Sequence, residues 1–419
     1  MKILHFADVH IDHAQHGKFN TQRGLHQRVI DFEKSLITII DTAISENVDL
    51  VLFAGDAYKG RSPLPTFQRL FEAQIFRLSS ARIPTILLTG NHDMPKPPRF
   101  AHALQEFETL KPPYIHVISN LTTIGQSELG IPVNVIGVPW IYRDRFKAMV
   151  QKEFDSNVDI DDEIEAHIAR FINQAIEKAD SDIPLILIAH ATVTGAKTGD
   201  EVGLTLNNEL KLSGSLVKDP RLDYVALGHI HKAQNLNGAE PEESNETFQP
   251  PVIYPGSIER LDFGERAEKK YFVIANVEKG KTRIQWQELT GIRPFFNINL
   301  QIDQPQDITA LILEKLPPPE QLADAYVKVN LTYPAELKNS IDLAAIREAG
   351  EKAFHFQFIP YPQYGSRSRL GASDEIAQMS DLELFKKYLE TKSDQNTPQK
   401  DALIELVTQI ISKHNGELD

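Results

Sequence analysis

The chain has 419 residues, which is more than one hydrophobic core usually serves, so two or three structural units are expected. Its net charge of −14 argues against binding nucleic acid through bulk charge, and the absence of cysteine excludes a disulfide scaffold, a thiolate zinc site and a cysteine nucleophile. The amino terminus has only a short apolar run before a charged residue, which predicts neither a signal peptide nor a membrane span. We expect a soluble, cytoplasmic protein.

The first two thirds of the chain alternate short β-branched runs with longer helical patterns, which is typical of an α/β sheet layered with helices. The strands predicted here are residues 3–6, 50–53, 85–88, 133–137, 185–188 and 224–227, with 271–277 and 283–289 closing the unit. Between the first two strands, apolar residues from Val29 to Ile44 recur at intervals of three and four, which predicts a helix with one buried face. The same spacing predicts a helix over residues 164–179.

The pattern changes after Gly291. A small α+β unit is predicted there, with strands at 295–302, 326–333 and 354–359 and helices at 308–316 and 343–349. We therefore divide the chain into domains 1–291, 292–362 and 363–419.

Two helices are predicted in the last domain. A capping box from Ser380 to Glu383 begins one, and Thr397 with Pro398 begins the other. Apolar residues form one face of the second helix, namely Leu403, Leu406, Val407, Ile410 and Ile411. This face has to pack either on its own domain or on a partner.

Five short polar clusters each follow a predicted strand, at the sheet edge where layered α/β proteins bind their ligands. They are Asp8-Val9-His10, Gly55-Asp56, Gly90-Asn91-His92-Asp93, Ala189-His190 and Gly228-His229-Ile230-His231. Taken singly, each is more often a turn or a hydrogen-bonded core histidine. Five strand ends that all deliver metal-binding groups favour one shared site.

The ligand chemistry points to metal ions. Residues i and i+2 of an extended chain point the same way, so Asp8 with His10, and His229 with His231, can each aim two groups at one site. Carboxylate, imidazole and amide ligands without thiolate suit Mn, Fe or Zn. Seven such groups are too many for one ion, whereas two ions about 3.5–4 Å apart would use them all. The pattern favours a binuclear hydrolase.

In their order and spacing, the clusters resemble the calcineurin-like metallophosphoesterase superfamily. Within it, the chain resembles the SbcD family of DNA-repair nuclease subunits through its small second unit, its helical tail and two segments, Gly24-Leu25-His26-Gln27-Arg28 and Tyr254-Pro255-Gly256-Ser257-Ile258-Glu259-Arg260. The resemblance implies an α/β metallophosphoesterase fold, a four-layer α/β/β/α sandwich with a small α+β capping domain and a C-terminal helical tail.

The resemblance also implies roles for the clustered residues. One divalent ion, taken as Mn²⁺, would be held by Asp8, His10, Asp56 and His231, and a second by Asp56, Asn91, His190 and His229. Asp56 would bridge the two ions. His92 and Asp93 would be the catalytic residues. His92 would stabilise the phosphorane or protonate the leaving oxygen, and Asp93 would orient one of the histidines, for which a turn or helix N-cap residue is an equal alternative. The family pattern continues with a Leu-Gly-like pair after His10, where this chain has Ile11 and Asp12.

The resemblance implies a nuclease that acts with partners. It would be a manganese-activated 3′–5′ exonuclease on duplex ends and an endonuclease on single strands, working as a homodimer bound to an SbcC-type ATPase on which the tail helices dock. Local positive charge for DNA would come from Lys59, Arg61, Arg143 and Arg145, for which solvated surface charge is an equal alternative. The alternatives for the whole chain are a metallophosphoesterase acting on a phosphoprotein or small nucleotide, and a scaffold whose metal site is idle.

Overall fold

The computed structural model describes residues 1–15, 17–95, 100–142, 146–147, 160–199, 211–241, 248–304, 307–364, 379–390 and 397–415. The chain forms two compact units. The first comprises residues 1–297, 317–327 and 350–356, and the second comprises residues 298–316, 328–349 and 357–419. The division into domains 1–291, 292–362 and 363–419 remains a prediction.

The strands are β1 (Lys2–Phe6), β2 (Phe19–Asn20), β3 (Leu25–His26), β4 (Leu50–Phe53), β5 (Thr85–Leu88), β6 (Ile115–Ile118), β7 (Thr122–Ile124), β8 (Asn134–Val138), β9 (Leu185–His190), β10 (Thr192–Val193), β11 (Lys211–Leu212), β12 (Tyr224–Gly228), β13 (Gln234–Asn235), β14 (Val252–Tyr254), β15 (Tyr271–Glu278), β16 (Lys281–Glu288), β17 (Phe295–Gln301), β18 (Tyr326–Pro334) and β19 (His355–Gln363).

The helices are α1 (Gln27–Ser45), α2 (Pro65–Ser80), α3 (Gln105–Leu110), α4 (Gln126–Leu129), α5 (Ile160–Lys178), α6 (Gly214–Val217), α7 (Ile308–Lys315), α8 (Pro319–Leu322), α9 (Leu343–Glu351), α10 (Asp381–Glu390) and α11 (Thr397–Asn415). Short 3-10 helices lie at Gly264–Ala267 and Ala335–Ser340. Among the described helices, none combines the length and the apolar character that crossing a membrane requires.

Two six-stranded sheets form the centre of the first unit. One has the strand order β16-β15-β1-β4-β5-β6, in which β1, β4, β5 and β6 run parallel and β15 pairs antiparallel with β1. The other has the order β13-β14-β12-β9-β8-β7, in which β8, β9, β12 and β14 run parallel. Parallel strands end at the same edge of their sheet, so the residues that follow β1, β4 and β5 are neighbours.

The two sheets pack face to face, and helices cover both outer faces. The inner core combines Ile3, Leu52 and Ile86 of one sheet with buried residues of the other. Helices α1 and α2 pack on the outer face of the first sheet, while α5 and α6 pack on that of the second. The parallel strands β4, β5, β9 and β12 are buried along their whole length, so each is a nearly continuous apolar run in the sequence. The predicted α/β/β/α sandwich is confirmed.

The second unit contains most of a three-stranded sheet with the order β17-β18-β19. Along β18, Val329, Leu331 and Tyr333 are buried and alternate with half-buried neighbours, as expected for a strand with one covered face. The two tail helices, α10 and α11, contact each other. On α11, Leu406 is 53% exposed and Ile410 is 57% exposed.

Candidate metal centre

The structure brings all five polar clusters together at the carboxyl ends of strands from both sheets. Asp8, Asp56 and Asn91 follow β1, β4 and β5 of the first sheet. His190 ends β9 and His229 follows β12 of the second sheet. The site therefore lies where the edges of the two sheets meet, which explains why five separate segments of the chain converge on it.

Two groups of side chains at this edge can hold a metal ion. Asp8, His10 and His231 form the first group, and their ligand atoms lie within 4.8 Å of one another. The two imidazoles of this group are 3.1 Å apart, measured between His10 Nε2 and His231 Nε2. Nitrogen atoms this close to each other, next to a buried carboxylate, are suited to coordinating one cation between them.

The second group consists of Asp8, Asp56 and His190, again with ligand atoms within 4.8 Å of one another. Asp56 Oδ2 lies 3.5 Å from His190 Nε2 and 3.8 Å from His10 Nε2. Asp56 therefore reaches histidines of both groups, which is the position that a bridging carboxylate requires. Asp8 also belongs to both groups. The assignment of ligands to each ion, including the bridge at Asp56, remains a prediction.

Asn91 joins the second group through its side-chain oxygen. Asn91 Oδ1 is 2.9 Å from His190 Nε2 and 3.0 Å from His229 Nδ1. The Trp140 ring packs against both imidazoles, with ring centroids 4.9 Å from His229 and 6.1 Å from His190. An apolar wall of this kind excludes water and strengthens electrostatic contacts inside the site.

The backbone of the site is strained, and in this respect one of our expectations was wrong. We expected Asp8 and His10 to point the same way on an extended chain, but their φ angles are +52° and +43°. Asp56 and His229 also have positive φ, at +62° and +99°. In non-glycine residues this left-handed conformation raises the backbone conformational energy, and such strained residues are concentrated at functional sites. The convergence of these ligands therefore comes from tight turns after the strands rather than from strand alternation.

Burial and close charges shift the pKa values of the buried ligands in opposite directions. Burial alone would raise the pKa of Asp56, but the nearby histidines, chiefly His190, hold it well below its usual range. Burial opposes the charge on His190, yet Asp56 outweighs it and raises the His190 pKa to about 9. Burial raises the pKa of Asp8 to about 6. A cation has to displace the His190 proton, so metal affinity is expected to rise with pH.

Backbone carbonyls hold the second ring nitrogen of three histidines. His10 Nδ1 is 3.2 Å from the Tyr58 carbonyl oxygen, His92 Nδ1 is 2.7 Å from that of Lys59, and His190 Nδ1 is 2.7 Å from that of Ala54. A carbonyl can only accept a hydrogen bond, so each Nδ1 carries the proton. In the neutral ring this places the lone pair on Nε2, which is the form that binds a metal, and His190 reaches this form only after it has lost its second proton.

His231 lies beside a buried ion pair that the sequence did not reveal. Its Nδ1 lies 3.4 Å from Glu265 Oε1, and Lys270 Nζ lies 2.6 Å from Glu265 Oε2. Glu265 and Lys270 are each 1% exposed. No signal in the sequence marks Glu265 as a partner of His231, because 33 other residues separate the two and Glu265 belongs to none of the polar clusters.

Asp93, predicted as catalytic, contacts backbone amides. Its carboxylate accepts hydrogen bonds from the backbone N–H groups of Asp56 (2.8 Å), Ala57 (2.9 Å) and Gly90 (2.9 Å). Burial, followed by the charge of Asp56, raises the pKa of Asp93 to about 7. These bonds favour the turn interpretation over the orientation of a histidine, and they make Asp93 the residue that ties the Asp56 turn to the Gly90 turn.

His92, the other predicted catalytic residue, lies beside the candidate ligands. Its backbone N–H donates to Asp56 Oδ1 at 2.8 Å, and its ring centroid is 5.0 Å from that of His10. The side chain is half-buried, and burial lowers its pKa. A half-buried imidazole at the rim of a metal site is placed to exchange a proton with a substrate, although its role remains a prediction.

The predicted DNA contacts are only partly described. Arg61 Nε lies 3.4 Å from the Asn91 carbonyl oxygen, and Tyr142 donates its hydroxyl to the same oxygen at 2.7 Å. Arg61 is thus held beside the candidate ligands, and the Lys59 side chain is exposed. Arg143 and Arg145 lie outside the described residues. DNA binding at these positions remains a prediction.

Residues 1–233 match the family model described as Calcineurin-like phosphoesterase. The match covers more than half of the chain and includes all the candidate ligands. The chain therefore belongs to the calcineurin-like phosphoesterase family.

Comparison with individual proteins narrows this assignment. The chain is 25% identical over 315 residues to SbcD, the D component of the nuclease SbcCD of Escherichia coli (strain K12), and the match covers 74% of this chain and 70% of that protein. The chain is an SbcD-type metallophosphoesterase. Family and relative together indicate a hydrolase, either a metal-dependent nuclease or a phosphoesterase.

Solved structures of similar fold include a dimetal phosphatase from Danio rerio, with 10% identity and a TM-score of 0.41 over 69% of this chain and 96% of that chain. GAP50, the anchor in the inner membrane complex of Plasmodium, has 11% identity and a TM-score of 0.40 over 70% of this chain and 85% of that chain.

Proposed function

We propose that this protein is a metal-dependent DNA phosphodiesterase, a 3′–5′ exonuclease on duplex ends and an endonuclease on single strands. The observation that carries the proposal is a complete set of candidate ligands, with His92 beside it, in a chain of the SbcD type. A phosphodiesterase needs charge neutralisation at the phosphate and a proton for the leaving oxygen, and these groups can supply both.

The residues present fit two divalent ions, which we propose to be Mn²⁺. One ion would be held by Asp8, His10, Asp56 and His231, and the other by Asp56, Asn91, His190 and His229. When bound, such ions neutralise phosphate oxygens and lower the pKa of the attacking water. The donor set is oxygen and nitrogen only, which suits Mn²⁺.

The chain itself orients these ligands and handles the proton. Carbonyl oxygens of Ala54 and Tyr58 hold the Nδ1 protons of His190 and His10, so both rings keep one orientation. His92 is held in the same way by Lys59. Because burial lowers the pKa of His92, its imidazolium form is a stronger acid than free imidazolium and can protonate the departing 3′-oxygen.

The proposal is tested by comparing four substrates of the full chain in Mn²⁺: an end-labelled DNA duplex, a single-stranded oligonucleotide, bis-p-nitrophenyl phosphate and p-nitrophenyl phosphate. We expect shortening of the duplex from its 3′ ends, cleavage of the single strand, hydrolysis of the bis-ester in preference to the monoester, and loss of every activity in EDTA. Hydrolysis of the monoester alone would favour a phosphoprotein or small-nucleotide substrate. Failure with all four, even with an ATPase partner present, would favour the scaffold.

We also propose that the tail binds an SbcC-type ATPase and that the complex acts as a homodimer in the cytoplasm. The tail offers an exposed apolar face on α11, at Leu406 and Ile410. Exposed apolar faces of this kind mark protein interaction sites. The E. coli relative is, by its name, one component of a complex, which supports a partner for this chain as well.

Replacing Leu406 and Ile410 together with glutamate should therefore weaken binding of the ATPase by at least about 10-fold, because both apolar contacts are lost. Hydrolysis of the bis-ester should not change. The measurement is co-purification of the ATPase with the full chain, and Gln409→Glu, on the same exposed helix, is the matched control. Undiminished co-purification of the double variant would show that the ATPase binds elsewhere.

A further inference from the structure

Two consecutive peptide groups connect the Asp12 carboxylate to two histidines of the site through hydrogen bonds. The carbonyl oxygen of the Tyr58–Lys59 peptide group accepts from His10 Nδ1 (3.2 Å), and the N–H of the same group donates to Asp12 Oδ1. The carbonyl oxygen of the next peptide group accepts from His92 Nδ1 (2.7 Å), and its N–H, on Gly60, donates to Asp12 Oδ2 (2.9 Å). Each Asp12 carboxylate oxygen therefore accepts a hydrogen bond from one peptide group, and each of these peptide groups accepts a hydrogen bond from one histidine.

The arrangement depends on the Asp12 carboxylate, which contacts both amides. The family pattern has a glycine-like residue after the first ligand pair, and a glycine at position 12 has no side chain to contact either amide. Asp12 is half-buried, and a Cβ atom at Gly60 would lie 2.9 Å from Asp12 Oδ2, so the turn is shaped around the carboxylate. These contacts give the Asp12 side chain a role in the turn that a glycine at position 12 could not fill.

We propose that Asp12 is a positioning residue that sets the orientation and tautomer of both His10 and His92 through these two peptide groups. A carboxylate that accepts from a peptide N–H polarises the group and makes its carbonyl oxygen a better acceptor. A stronger acceptor holds the Nδ1 proton and the ring plane more firmly, as direct partners of metal-bound histidines do. One side chain thereby couples a metal ligand to the proton donor. The proposal rests on the proposed function only for the roles of His10 and His92.

The test compares Asp12→Asn and Asp12→Ala with the wild type in the full chain. Asparagine keeps the shape but replaces one of the two acceptor oxygens with an NH₂ group, so in the wild-type geometry it keeps one of the two contacts, whereas alanine loses both. Asp342→Asn is the matched control, because the Asp342 carboxylate accepts from the backbone N–H groups of Ala344 and Ala345 in the second unit.

The first readout is ¹⁵N NMR of histidine-labelled, metal-free protein, with the signals assigned by His10→Gln and His92→Gln. We expect the wild type to show both rings with the proton on Nδ1, and the Asp12 variants to show a growing share of the Nε2–H tautomer, larger for alanine than for asparagine. The second readout is Mn²⁺ affinity by calorimetry, for which we expect a loss of about 10-fold in Asp12→Ala. The control should match the wild type in both measurements.

Unchanged tautomers and unchanged Mn²⁺ affinity in both Asp12 variants would overturn the proposal. If Asp12→Ala does not fold, as judged by thermal unfolding, the near-isosteric Asp12→Asn decides alone. Neither readout involves a substrate. If the Asp12 variants change the tautomers but the wild type cuts no DNA, the positioning role of Asp12 stands and the proposed substrate is rejected. If the wild type cuts DNA but the variants leave the tautomers unchanged, the proposed substrate stands and the positioning role is rejected.

Discussion

Asp56→Asn is expected to lose tight Mn²⁺ binding and to lower DNA cleavage by about 10³-fold or more, the scale seen when a main electrostatic stabiliser is removed. Asp56 is 1% exposed and lies within 3.8 Å of His10 Nε2 and 3.5 Å of His190 Nε2. Asparagine preserves the shape but removes the charge that two cations would share. Calorimetric titration with Mn²⁺ and cleavage of an end-labelled duplex measure the two effects.

Asp262→Asn is the matched control for this prediction. Asp262 is exposed and accepts a hydrogen bond from the backbone N–H of Gly264 at 2.7 Å, so the change removes a similar charge away from the candidate ligands. The control should bind Mn²⁺ and cleave DNA as the wild type does. An Asp56→Asn protein with undiminished Mn²⁺ affinity would remove Asp56 from the ligand set and reject the bridge.

His92→Gln is expected to lower kcat for DNA cleavage by about 10²–10⁴-fold while Mn²⁺ affinity stays unchanged. The reason is that His92 is placed to supply a proton and is not among the candidate ligands. Glutamine can still donate a hydrogen bond to the Lys59 carbonyl oxygen, which the His92 ring contacts at 2.7 Å, so the loop should keep its form. Single-turnover cleavage, together with calorimetry, separates the chemical step from metal binding.

The control for His92 is His116→Gln on β6. His116 is half-buried and burial lowers its pKa, as for His92, but it does not belong to the five clusters. We expect the control to cleave at the wild-type rate. Loss of Mn²⁺ binding in His92→Gln would make His92 a ligand, and a rise in KM with an unchanged kcat would make it a substrate-binding residue instead.

Most of the layered core could be predicted from the sequence because buried parallel strands are short, continuous apolar runs. The predicted strands at 50–53 and 85–88 have the observed bounds. The strands β6 (Ile115–Ile118) and β14 (Val252–Tyr254) were missed. Both follow paired prolines, which predict turns, and only pairing with a neighbouring strand makes these short segments extended.

The sequence by itself determined which residue types are available at the site and on which strand ends they lie, because a strand and the polar residues after it are adjacent in the chain. Only the tertiary structure decided which groups surround these residues. Examples are the Tyr58 carbonyl oxygen at His10, the ion pair of Glu265 with Lys270, and the contact of Asp12 with two backbone amides. Backbone groups have no sequence signature, and partners distant in the chain become neighbours only when the two sheets pack. The positive φ angles of Asp8 and His10 have the same origin, since packing holds turns that local preference disfavours.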